Sequence, residues 1–136
     1  MLYLPVPPYR NILTLTTKDQ LICATYALIA LAALPATWIN NITFMTQPNN
    51  NSFVDFIRAA YVNAAAASLS NDLFLLAAAA CMFMVIEGRR VGVRYVWLYI
   101  ALSALIAISV TFPLFLLARH LKLSKEQPGQ ITTEAI

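Results

Sequence analysis

Asp72 is the residue whose setting most invites chemistry. It is the one charge in the run from Ala64 to Ile86. On a helix starting at Ala64 it lies about 12 Å along the axis. A carboxylate at that depth in hydrocarbon is costly and needs a partner or water. If the turn that follows centres on Arg90 and Val91, Asp72 falls level with Ser109 and close to Thr111. Asp72, Asn63, Ser68, Ser109 and Thr111 then form a candidate polar site inside a membrane. The rival reading is structural. Ser70-Asn71-Asp72 also has the form of a helix start, where side-chain caps and the helix dipole favour such residues.

The second group is Glu87, Arg89, Arg90 and Arg119, an expected interfacial charge cluster. Flanked by arginines, Glu87 reads as half of a solvated ion pair. Glu87 and Asp72 are 87 − 72 = 15 residues apart, about 22 Å along a helix. They cannot work together as a two-carboxylate acid/base pair. His120, the single histidine, stands beside Arg119 and Lys122 and reads as an interfacial polar residue. A lone axial ligand to a haem or chlorophyll is the weaker alternative. Cys23 and Cys81 each sit in apolar runs and read as small buried hydrophobes. No metal-ligand cluster, phosphate loop or nucleophile elbow occurs in the sequence. No metal is expected and no cofactor is evident; a pigment or a lipid is the ligand class left open.

The elements that would position these residues follow from composition. Of 136 residues, 60% are hydrophobic and 11% charged, against about 25% charged in soluble domains. So short and apolar a chain cannot hide its surface in a water-soluble core. The lipid bilayer is the expected solvent. The net charge of +3 comes from basic residues at the ends of apolar runs. No basic patch interleaved with aromatics is present, which argues against nucleic acid.

The expected fold is all-α: an integral membrane bundle of three transmembrane helices plus a short interfacial amphipathic helix. Residues 1–16, with Pro5, Pro7 and Pro8, read as an extended arm. Residues 17–123 form the membrane domain, with spans at about 20–39, 64–87 and 94–119. Thr16 with Asp19 and Ser52 with Asp55 fit capping boxes. Residues 40–52 read as a polar loop holding two sequons, Asn41-Ile42-Thr43 and Asn50-Asn51-Ser52. Residues 53–62 carry Phe53, Phe56, Ile57, Ala60 and Tyr61 on one helical face and read as the interfacial helix. Gly88 and Gly92 permit a tight turn before the third span, and Pro113 is expected to kink that span near its far end. Residues 124–136 read as a polar tail. Three spans put the termini on opposite sides. Lys and Arg then divide 5 to 4 between the faces, which leaves orientation nearly undecided, with a lean to the N-terminus inside.

The stretch from about Asn63 to Arg119 resembles a family of small bacterial three-span membrane proteins catalogued as domain of unknown function 2834. The resemblance rests on Asn63, Asp72-Leu73, Glu87-Gly88-Arg89-Arg90-Val91-Gly92, and Phe112-Pro113-Leu114-Phe115-Leu116 followed by Arg119. It implies the bundle and a multi-pass place in a bacterial inner or thylakoid-type membrane, and leaves activity open. Three functions compete. The first is a non-catalytic accessory or lipid- or pigment-binding subunit, partnered by a larger membrane complex or by self-association. The second is a small membrane enzyme acting on a lipid or isoprenoid through Asp72. The third is an oligomeric proton or ion pathway. The lack of a catalytic cluster favours the first.

Overall fold

The computed structural model of the chain describes residues 15–50 and 52–126. Residues 1–14 of the expected arm, Asn51 of the second sequon, and residues 127–136 of the expected tail lie outside the described residues. Among the described residues the fold is all-helical, with α1 Thr17–Met45, α2 Phe53–Ala60, α3 Ala64–Val91, α4 Val96–Leu105 and α5 Ile108–Glu126.

The first three helices start where side chains can take up orphan backbone N–H groups. The Asp19 N–H donates to Thr16 Oγ1 at 3.3 Å, and the Thr16 hydroxyl donates back to the Asp19 carboxylate at 2.6 Å. Ser52 and Asp55 repeat the arrangement at 3.2 and 2.7 Å. Asn63 Oδ1 accepts the Ala66 N–H at 2.8 Å and opens α3. Asp72 is therefore inside α3 and does not cap it. At the other end of α3, Gly92 has φ +70°, a left-handed conformation that suits glycine and ends the helix.

α1 continues past the expected end near residue 39 and takes in half of the expected polar loop. Its polar side chains bond backward onto their own helix. Thr37 Oγ1 donates to the Ala33 carbonyl, Asn40 Nδ2 to Ala36, and Thr43 Oγ1 to Ile39. Such i to i−4 bonds let polar residues ride within a helix.

α1 and α3 are each long and apolar enough to cross a membrane. The expected third span at 94–119 is not one helix, so the count of such helices is two and not three. The break falls at Ile106 and Ala107, and the chain doubles back there. On a straight helix Tyr99 and Phe115 would stand about 24 Å apart, yet their ring centroids lie 5.8 Å apart, edge to face. The Ser103 and Thr111 hydroxyls also meet directly. α4 and α5 are thus an antiparallel hairpin.

The hairpin packs between the long helices. His120 on α5 bonds Asp19 at the start of α1, while Trp38 Nε1 donates to the Ile106 carbonyl at the hairpin tip, 3.2 Å away. α5 therefore runs antiparallel to α1. Against α3 it runs parallel: Phe83 meets Phe112 and Phe115 edge to face, and Glu87 meets Arg119 one turn further on. Phe115 and Met84 are fully buried at this contact. The start of α1, the ends of α3 and α5 and the start of α4 consequently share one end of the molecule. The expectation of opposite sides for the two termini assumed an unbroken third span, and the start of α1 and the end of α5 lie together instead.

Gly88 is the close approach that allows this. A β-carbon there overlaps the Val96 side chain and lies 3.3 Å from the Phe115 ring. Gly88→Val is expected to push α4 off α3 at a cost of about 1–3 kcal/mol, as overpacking does. The measurement is the thermal unfolding midpoint in detergent, and an unchanged midpoint would contradict the contact.

Candidate functional site

The charged groups collect at the shared end of the helices. Glu87 is 6% exposed although it is ionisable. Its Oε1 accepts from Arg119 Nε at 2.7 Å and from Arg90 at 2.9 Å, and a terminal Arg119 nitrogen stands 2.6 Å from it as an ion pair. Arg90 reaches it from one turn along α3, and Arg119 reaches across from α5. Burial gives this carboxylate a different role from the solvated ion pair expected, since a buried charge has to be compensated within the protein. Two further bonds close the same end. Lys122 Nζ donates to the Gly92 carbonyl at 2.6 Å, and His120 Nε2 lies 2.9 Å from Asp19 Oδ1. Together these contacts tie α1, α3, the turn after α3, and α5.

Arg89 points outward, exposed and without a hydrogen bond among the described residues. The cluster therefore joins Glu87, Arg90 and Arg119 and leaves Arg89 outside it. What remains can hold helices in register. Among the described residues its polar contacts are made within the cluster itself.

The five residues of the expected polar site are dispersed, and no hydrogen bond joins any two of them among the described residues. Asn63 is occupied as the α3 cap. Ser68 and Asp72 are exposed on α3. Ser109 is exposed near the start of α5, whereas Thr111 is 2% exposed and bonded to Ser103 and to the Ala107 carbonyl. The levelling of Asp72 with Ser109 depended on an unbroken third span. With α5 running parallel to α3, Ser109 sits about two turns nearer the charged end than Asp72.

The contacts that sequence reasoning missed include Lys122 with Gly92 and three more: Asp19 with His120, Trp38 with Ile106, and Ser103 with Thr111. Asp19 and His120 carried a signal, since both stand at the charged edge of apolar runs. The last two had none, because Trp38 also suits an interface and serines and threonines are common in apolar helices.

Residues 25–121 match the family model described as protein of unknown function DUF2834. The chain belongs to the DUF2834 family. No curated protein and no solved structure matches it. The matched region of this DUF2834 protein runs from within α1 to the last turns of α5. It contains Asp72, the Glu87–Arg90–Arg119 cluster and the whole hairpin, and it leaves out Asp19 and Lys122.

Proposed function

We propose that this DUF2834 protein is an integral membrane protein with a non-catalytic, accessory role. In this reading α1 and α3 are its two spans. The α4–α5 hairpin enters the bilayer and leaves it on the same side. The observation that carries the reading is exposure. Of the apolar windows in α1 and α3, only 11% and 6% are buried. The core helix of a soluble protein buries most of such a surface. Leu28, Leu31, Phe74 and Leu75 are each at least two-thirds exposed, and only lipid or another membrane protein covers so many such side chains comfortably.

The hairpin reading has its own support. The ten residues of α4 reach about 15 Å, half of a hydrocarbon core of ~30 Å. Irregular backbone at that depth must be enclosed by protein. Here the Trp38 indole meets the Ile106 carbonyl at the bend. The hairpin also changes the charge count. Among the described residues Lys18, Arg89, Arg90, Arg94, Arg119, Lys122 and Lys125 lie at the shared end and Arg58 at the other. That seven-to-one bias supports a cytoplasmic shared end. The accessory role rests on the charged cluster being mutually satisfied, with its groups committed to one another.

Resistance to extraction by alkaline carbonate, with release by detergent, is the expected behaviour; release by carbonate alone would sink the membrane reading. Topology is tested by single cysteines at Lys18, Arg58 and Lys125, with Cys23 and Cys81 replaced by serine. In sealed cells an impermeant maleimide should label only Arg58→Cys. The other two should label only after lysis. Labels at positions 18 and 125 on opposite faces would rule out the hairpin.

A further inference from the structure

We propose that the exposed face of α3 around Asp72 is a docking site for a helix of another membrane protein, one that carries a cationic side chain at the depth of Asp72. The inference rests on the membrane reading above. Asp72 is exposed and makes no hydrogen bond or ion pair among the described residues. Its neighbours are already served from within the chain. Ser70 donates to the Ala60 carbonyl at 2.8 Å, and Asn71 accepts from the Tyr61 hydroxyl at 3.0 Å. α2 and the turn after it thus satisfy the two positions before Asp72 and leave the carboxylate itself facing outward.

The cap explanation is removed by Asn63, which starts α3 nine residues earlier (72 − 63 = 9). That places Asp72 about 13 Å along the helix from its cap and about 22 Å from Glu87. The side chain of an aspartate is too short to reach back over such a distance, as a lysine or arginine does by snorkelling.

The face around it is patterned for a helix. Ala65, Ser68, Asp72, Leu75, Ala79 and Met82 are all exposed. Their spacing alternates three and four, the period of a packed helix seam. Alanine and serine within it permit close backbone approach. At 100° per residue, Asp72 points about 120° round the axis from buried Met84, so the seam is separate from the face that packs on α4 and α5.

Charge decides the occupant. Acyl chains offer nothing to a carboxylate. A second copy of this chain, seated seam to seam in the same orientation, sets its own Asp72 against the first, and like charges repel. A lysine, arginine or histidine on a foreign helix supplies the opposite charge, the pairing by which ionisable side chains are tolerated within membranes.

The probe is a tryptophan-flanked Leu/Ala transmembrane peptide with a single lysine 22 Å from its cytoplasmic flank. Its binding to the labelled full-length protein is measured by energy transfer in phosphatidylcholine bilayers. The lysine peptide is expected to bind about five- to tenfold tighter than the same peptide with leucine there, as interhelical polar contacts allow. Asp72→Asn, which retains the shape and the helix, is expected to abolish the difference. Equal binding of the two peptides by the unaltered protein overturns the proposal. So does a preference that persists in Asp72→Asn, or self-association through Asp72 that excludes the peptide. If carbonate extraction and labelling come out as expected while the lysine preference is absent, this inference falls alone.

Discussion

Arg119→Ala is expected to lower the thermal unfolding midpoint in detergent further than truncation of any other basic residue in the chain. Arg119 donates to the buried Glu87 oxygen through Nε at 2.7 Å and pairs with it again through a terminal nitrogen at 2.6 Å. Its side chain is 27% exposed, against 68% for Arg90, the other donor. Removing it leaves a buried carboxylate served by one largely solvated arginine. Breaking a buried pair in this way is far more damaging than removing both charges, because the remaining ion stays uncompensated. Arg90→Ala is accordingly expected to have a small effect, in the range of exposed pairs. Arg119→Lys should not rescue, since one ammonium cannot present both the bonding Nε and the second, paired nitrogen of a guanidinium edge. The double replacement Glu87→Leu with Arg119→Leu should recover much of the loss. Equal midpoints for Arg119→Ala and Arg90→Ala would refute the assignment.

Phe115→Ala should have the next largest effect. The ring is fully buried and meets Phe83 at 6.3 Å and Tyr99 at 5.8 Å, both edge to face. It also lies against Gly88. In water such a truncation costs about 3–5 kcal/mol, from lost transfer and from the cavity left behind. In a bilayer the transfer part largely vanishes, because lipid solvates a phenyl ring about as well as the protein does. The packing part remains, and about 1–3 kcal/mol is expected. Phe112→Ala offers the control, since among the described residues its ring meets one other aromatic ring, Phe83 at 6.0 Å. Steric trapping or reversible unfolding in mixed micelles measures both. A Phe115→Ala protein as stable as Phe112→Ala would show that the hairpin does not pack as described.

Much of the fold was legible where local chemistry dictates it. Thr16 with Asp19, Ser52 with Asp55, and Gly92 each act through neighbours in sequence, and their types announce the role. The family was legible too, through Asn63, the Glu87–Gly92 segment and the residues leading to Arg119. The hairpin was not. Nothing marks Ile106-Ala107 as a turn: it has no glycine, proline or asparagine, and the uncharged run through it has the length of a span. Pro113, the one visible breaker, sits within α5 and the helix continues through it. The bend is held by groups distant in sequence or unremarkable in type, namely Trp38, Ser103 and Thr111. The levelling of Asp72 with Ser109 was misread for the same reason, because its register was borrowed from a span that turns back. In the charge cluster Glu87 and Arg90 are neighbours on α3, whereas Arg119 meets Glu87 because the bend at Ile106-Ala107 returns α5 to that end, which the sequence did not signal.

The bond from Trp38 to the tip of the hairpin also bears on how the protein is made. A bare carbonyl at the bend would cost several kcal/mol in the middle of a bilayer. The indole that donates to it belongs to a helix synthesised 106 − 38 = 68 residues earlier. In the proposed membrane reading α1 therefore has to be in the lipid before the bend can be satisfied, so the order of synthesis is also the order in which this bond can form.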